Sequence, residues 1–309
     1  MSQSAAESVT VHPSERDDCL RALRVAFEQA PVGMALTDED GRLIVVNSAL
    51  SNLLGVDASE LLGRRLCDIT SPLDEPNATD TYAALLHQGS MTRRTELRML
   101  HADGTPVHTL VSGARICDES GRLTNLVLHI DNISEYKRVH DLLWHQAMHD
   151  PLTGLPNRAL LRQRLSEALI HREPEEVLTV LAVDLDGFKG VNDRYGHRVG
   201  DDLLRALGAR MAAAVRPGDT VARTGGDEFV ILCPQTGVES AETLVRRVKE
   251  TIRQPFMLAG QLLHVDASVG AATASGADDP VLDDLLEQAD SGMYAVKHHN
   301  SGRRITPRR

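Results

Sequence analysis

Val177-Leu178-Thr179-Val180-Leu181-Ala182-Val183-Asp184-Leu185-Asp186 and the later stretch Arg223-Thr224-Gly225-Gly226-Asp227-Glu228-Phe229 decide how the second half of this chain folds. A nearly unbroken apolar run of strand length reads as a β-strand covered on both faces. It ends in two acids spaced by two, Asp184 and Asp186, which therefore lie on one side at the mouth of a buried sheet. Such a carboxylate calls for a partner. The Gly225-Gly226 turn between Thr220–Arg223 and Glu228–Leu232 reads as a hairpin: its glycines admit positive φ and close approach of a ligand, and Asp227 and Glu228 follow at once. Acids gathered there would suit a hard divalent cation, which takes oxygen ligands and leaves positions open for phosphate.

Working outward, helical faces recur at Leu203, Leu204, Leu207 and Met211, at Ala241, Leu244, Val245, Val248 and Ile252, and at Leu282, Leu285, Leu286, Ala289 and Met293. Helix and strand alternate throughout this half. The first half differs. Asp40-Gly41, Asp103-Gly104 and Ser120-Gly121 punctuate short β-type segments, and helical spacing appears over Ser48–Leu54, Ala58–Leu66 and Asp80–His87. Strand pair, helices, then a three-strand meander is an α+β order. Between the halves, residues 134–149 are polar and helical, with Tyr136, Val139, Leu143 and Ala147 at spacings of three and four, a seam on which the helix could pair with its twin.

Composition bounds the function. A length of 309 residues suits two globular units and a linker, and with aromatics at 3% the cores must be aliphatic. A net charge of -11 argues against a general nucleic-acid binder, which gathers Lys and Arg to displace counterions. Cys19, Cys67, Cys117 and Cys233 form no metal-ligand or disulfide spacing and read as reduced thiols. The polar start lacks signal-peptide character, and no 18-residue apolar run offers a membrane span. A cytoplasmic protein with a flexible tail over residues 1–19 and no membrane insertion is expected.

Several ordered segments resemble one family. Gly225-Gly226-Asp227-Glu228-Phe229 is similar to the signature of GGDEF-domain diguanylate cyclases, and Asp150-Pro151-Leu152-Thr153-Gly154-Leu155-Pro156-Asn157-Arg158 resembles that family's opening segment. Asp184-Leu185-Asp186-Gly187-Phe188-Lys189, Asn192-Asp193, Tyr195-Gly196-His197 with Gly200-Asp201, and the closing Met293-Tyr294-Ala295-Val296-Lys297 agree as well. Such a set is far more specific than one short match. The resemblance implies a palm-like βαββαβ domain over residues 150–309 that condenses two GTP into cyclic di-GMP and pyrophosphate.

By position, it implies that Asp184, the Leu185 carbonyl, Asp227 and Glu228 hold Mg2+ or Mn2+, with Asp227 and Glu228 catalytic. Asn192 and Asp201 would read the guanine edge. His197, Gly225 and Gly226 would lie by the substrate, Phe188 and Lys189 would frame its phosphates, and Lys297 would neutralise them. Arg303 would contact phosphate too, although Gly302-Arg303 come five and six residues after Lys297 where the family commonly has three and four. Each domain holding one GTP, the reaction would need a homodimer.

Arg216-Pro217-Gly218-Asp219 resembles the family's product-inhibition motif, in which Arg reads a guanine Hoogsteen edge and cyclic di-GMP is the inhibitor. Locally, a helix end followed by a Pro-Gly turn fits these residues equally well. Residues 20–133 resemble a PAS sensor domain in Ala30-Pro31-Val32-Gly33-Met34, Val46-Asn47-Ser48 and Asp131-Asn132-Ile133-Ser134. Haem, flavin, a small metabolite or nothing would fit that resemblance, so the PAS ligand is unknown. The expected architecture is α+β: PAS fold, antiparallel sheet with helices, then helical linker and GGDEF palm. The alternative activity is a non-catalytic module binding GTP or cyclic di-GMP, which would have no need of the metal-binding acids.

Overall fold

A computed structural model describes residues 16–86, 94–173, 175–235, 241–275 and 281–301. By its internal contacts the chain divides into two units, Met1–Asp141 and Leu142–Arg309.

In the first unit, helix α1 (Arg16–Glu28) is followed by β1 (Gly33–Thr37), β2 (Leu43–Val46), α2 (Ser48–Leu54), α3 (Ala58–Leu61), α4 (Glu75–Leu86), β3 (Arg94–Leu100), β4 (Pro106–Cys117) and β5 (Leu123–Asn132). The strands form one antiparallel sheet in the order β2-β1-β5-β4-β3. Alternate residues of β1, β4 and β5 pack on α2 and α3 around Leu50, Leu54, Leu61, Met99, Val111, Leu128 and Ile130. Asn47, fully buried, caps α2 by accepting from Leu50 N at 3.0 Å, accepts also from Met34 N at 2.9 Å, and donates to the carbonyls of Phe27 and Val32. All its hydrogen-bonding capacity is used, as a buried amide requires.

The structure departs from the sequence reading in particular places. Helix α1 takes in Arg16 to Cys19, which that reading put in the tail. Helix α3 stops at Leu61 rather than Leu66: Leu62 is extended and Gly63 has φ 80°, so the chain turns into a 3-10 turn over Cys67–Ile69. Helix α4 starts at Glu75, five residues ahead of Asp80, and His87 lies outside the described residues. Helix α5 (Ser134–Met148) has no buried residue and exposes Tyr136, Val139, Leu142, Leu143 and Trp144.

The second unit runs through α6 (Arg158–Ile170), β6 (Leu178–Asp186), α7 (Phe188–Tyr195), α8 (His197–Ala214), β7 (Thr220–Gly225), β8 (Glu228–Cys233), α9 (Ala241–Arg253), β9 (Phe256–Leu258), β10 (Gln261–Leu263), β11 (Asp266–Ala274) and α10 (Leu282–Ser301). Its main sheet has the order β11-β6-β8-β7 and is antiparallel throughout. Strand β6 is interior, and its two-residue period divides it between two cores. Leu181, Val183 and Leu185 join α8 and α9, whereas Leu178, Val180 and Ala182 join α6 and α10. The small hairpin β9-β10 was not expected; Ala259 and Gly260, both at positive φ, turn it.

Helix α10 lies directly on β11 at Gly270. A Cβ there would overlap Met293 N and the Ala289 carbonyl and stand 2.7 Å from Gly292 C. Those atoms are backbone, so no side chain can rotate out of the way. Gly270→Ala is expected to lower stability by about 3 kcal/mol, the upper range for overpacking. A urea midpoint equal to wild type would show that α10 backs away freely.

Candidate active site

The apolar content of β6 carries the chain to the edge of the sheet, and there the antiparallel register sets Asp184 opposite Glu228 on β8 and opposite Ser268 on β11. Strand β7 ends in Gly225, whose φ of 155° and partner Glu228 begin a tight return through Gly226 and Asp227. Leu185 N donates to the Asp227 carbonyl at 3.3 Å, tying the turn to the strand end. Asp184 and the consecutive pair Asp227-Glu228, far apart in the chain, thus share one corner. Asp184 is only 4% exposed, Asp227 half-buried and Glu228 exposed.

From α10, Lys297 places Nζ 2.7 Å from both Asp184 oxygens. Burial pushes the Asp184 carboxyl above its usual range; the Lys297 ammonium offsets part of this, and Asp227 and Asp290 add repulsion. Desolvation raises Glu228 as well, and Asp184, Asp290 and Asp227 push it further. The bond to Asp184 in turn raises Lys297. A corner in which like charges crowd and one ammonium stands among them attracts further positive charge.

Two neighbours hold this corner. Arg223 donates from Nε and Nη2 to the Gly226 carbonyl at 3.0 and 2.7 Å, and from Nη1 to Asp150 at 2.8 Å. It therefore clamps the Gly-Gly turn to the opening segment, where Asp150 also accepts from the Thr153 hydroxyl. On the other side, Ser268 donates to Asp186 at 2.8 Å. Sequence reasoning assigned no role to Arg223, Asp150, Ser268 or Asp290. The one signal available was that Arg223 and Asp150 both fall within the motifs.

The remaining candidates lie on α7 and α8. Gly187, at φ 75°, turns the chain from β6 into α7. Phe188 is half-buried against the core, and its Cζ would lie 3.3 Å from a Cβ built on Gly200. Asn192 is half-buried with Oδ1 fully enclosed and without a hydrogen-bond partner among the described residues, and half-buried Asp201 follows Gly200. Lys189 and His197 are exposed. Arg303 lies outside the described residues.

Arg216 and Asp219 stand apart, bordering a shallow groove of about 410 Å³ with Leu155, Pro156, Arg164 and Pro217. The Asp219 side chain is buried and accepts from Arg216 N at 3.1 Å, while the Arg216 side chain is 44% exposed with Nε 3.9 Å from Asp219. The turn is thus built by Asp219, and Arg216 lines the groove with its side chain partly exposed. Beside it, burial pushes the Cys233 thiol up to about 12, so this thiol is inert.

Among the described residues no three carboxylate, imidazole or thiol groups converge tightly enough to enclose a metal by themselves. The donor set nevertheless suits Mg2+, which takes one or two carboxylates and completes its shell with water and substrate phosphate. The Lys297 ammonium on Asp184 shows that this carboxylate already draws positive charge.

Comparison with known proteins identifies the families of both halves. Residues 147–303 match the family model described as diguanylate cyclase, GGDEF domain, and residues 31–135 match that of the PAS domain. The chain is 43% identical over 152 residues, 49% of its length and 22% of the relative's, to the bifunctional diguanylate cyclase/cyclic di-GMP phosphodiesterase MucR of Pseudomonas aeruginosa. It is 28% identical to the diguanylate cyclase DgcM of Escherichia coli K12 over 89% of this chain and 65% of that one. A crystal structure of a sensory box/GGDEF family protein from Caulobacter crescentus CB15 is 35% identical over 49% of this chain and 99% of that one, with a TM-score of 0.46. The chain therefore spans from about a fifth to about two thirds of these two curated relatives. Among the described residues no helix is long and apolar enough to cross a membrane.

The crowded acids make a prediction for the protein freed of divalent cations by a chelator. The fold raises Glu228 above its ordinary 4.5, so ionising it costs stability at neutral pH, and that cost vanishes where the group is protonated in both states. Glu228→Gln is expected to raise Tm at pH 7.5 and to lose this advantage near pH 4. A lower Tm for the variant at pH 7.5 would contradict the crowding.

Proposed function

Because this chain belongs to the diguanylate cyclase GGDEF family, with a PAS domain preceding the catalytic one, we propose that it condenses two GTP into cyclic di-GMP with release of two pyrophosphates. The observation that carries the reading is the meeting of Asp184, Asp227 and Glu228 at the end of β6, with Lys297 upon Asp184.

Asp184, Asp227, Glu228 and the Leu185 carbonyl would hold the divalent cation, Mg2+ or Mn2+. Bound there, it would supply Lewis-acid stabilisation of the α-phosphate and of the attacking 3′-oxygen. The chain's own groups do the rest. Half-buried Asp227 takes the proton as the 3′-hydroxyl of one GTP attacks the α-phosphorus of the other, the P–O bond to pyrophosphate breaking in the same displacement. With a cation bound, Lys297 would be available to neutralise the triphosphate, Phe188 and Lys189 would frame its phosphates, and Arg303 would be a further cation. Gly225 and Gly226, lacking side chains, leave room for the nucleotide, and His197 lies at its edge. Asn192 and Asp201 accept from guanine N1–H and the exocyclic amine, which adenine cannot match.

One site holds one GTP, so two chains must face each other. The exposed Tyr136, Val139, Leu142, Leu143 and Trp144 on α5 support a homodimer through that helix. The half-exposed Arg216 with Asp219 supports product binding at a site remote from the acids. Regulation through the PAS domain, with its ligand unassigned, and a cytoplasmic location where GTP is at hand complete the proposal.

Incubation with Mg2+ and nucleotide, followed by mass spectrometry, tests it. GTP is expected to give cyclic di-GMP and ATP no product, and Asp227→Asn to lower turnover by at least about a thousandfold, the order for loss of a combined ligand and base. Equal turnover of ATP, or a fully active Asp227→Asn, would overturn the reading.

A further inference from the structure

We propose that Gly200 is the positioning residue for the guanine-reading carboxamide of Asn192: the missing side chain at 200 is the slot in which Asn192 Oδ1 sits. The inference rests on the diguanylate cyclase reading and extends it to a residue with no ligand contact of its own.

Gly200 is buried in the first turns of α8, against α7. Glycine inside a helix is disfavoured relative to alanine, because it loses more freedom on folding. No positive φ requires it here, so the reason for glycine is space. A Cβ built on Gly200 would overlap Asn192 Oδ1, lie 3.0 Å from Asn192 Cγ and 3.3 Å from Phe188 Cζ. The other glycines of these two helices differ. Gly208 faces the apolar Leu155 side chain, with Cδ1 2.9 Å from the built position, and Gly190 faces open space. Of the three, Gly200 alone gives its space to a polar atom.

That atom is itself unusual, since Oδ1 is enclosed and has no hydrogen-bond partner among the described residues. A buried acceptor left unpaired is costly, and a donor relieves it once the neighbours that enclose it part. The Watson–Crick edge of guanine carries adjacent donors at N1 and N2. Asp201, the second acceptor for that edge, is the next residue, so one helical turn both yields room for Asn192 and carries its companion. The contacts around Gly200 are side-chain atoms, in contrast to the backbone around Gly270. A methyl group at 200 is therefore absorbed by rotating Asn192, and the carboxamide loses its aim while the fold stays intact.

The test compares Gly200→Ala, Asn192→Ala and the double variant in the full chain. Three quantities are read: Tm, KM and kcat for GTP, and Kd for guanosine 5′-[α,β-methylene]triphosphate, which cannot release pyrophosphate. Gly200→Ala is expected to leave Tm unchanged or raised, while KM and Kd rise about tenfold, the order for one hydrogen bond left unmade. The change in kcat is expected to be smaller. In the Asn192→Ala background the Gly200 substitution should have no further effect on either constant, because its target is gone. Wild-type affinity in Gly200→Ala, an equal loss in both backgrounds, or a fall in Tm in both would overturn the positioning role. Unchanged affinity in Asn192→Ala would instead overturn the guanine reading, and the role of Gly200 with it.

Discussion

Everything at the proposed site follows from one constraint: β6 is covered on both faces and ends in a carboxylate. The hydrophobic effect fixes the strand in the middle of the sheet, and antiparallel register then leaves no freedom in what Asp184 meets. It meets Glu228 across the ladder and the Gly226-Asp227 turn beside it. The fold thus spends apolar burial to hold like charges together, and Lys297, delivered by α10, partly offsets their repulsion. Helix α10 seats closely on β11 at Gly270, beside Met293, and carries that lysine one turn further on.

The cluster connects stability to chemistry. Carboxylates raised by burial and by one another are groups for which a cation is worth more than it would be in water. On the proposed reading, the corner would be more stable filled than alone, a common condition of sites built to bind. Arg223 contributes by a different route, since its guanidinium fixes the Gly-Gly turn to Asp150 and holds the geometry of the two acids that follow.

Much of this was legible in the residues. The unbroken apolar run gave the doubly covered strand, the paired glycines gave the hairpin, and the Asp-Gly and Ser-Gly turns gave the five-stranded sheet of the first unit. Helix ends were less legible. Leu62 to Leu66 keep apolar spacing, yet Gly63 at positive φ breaks the helix, and periodicity carries no record of φ. The β9-β10 hairpin has three residues per strand, too few to show alternation. At the site, residue types named the acids, but pairings between distant segments stayed hidden: Arg223 with Asp150, Ser268 with Asp186, Asn192 with Gly200. Such contacts depend on how helices and strands pack, which no local pattern encodes.

The central claim is that the acids at the end of β6 form one cation-binding corner. Mn2+ binding followed by electron paramagnetic resonance, with the non-cyclising GTP analogue present, measures this directly. The free-Mn2+ signal is expected to fall on adding wild-type protein and to remain on adding Asp184→Asn that circular dichroism shows to be folded. An equal fall with both proteins would contradict the account.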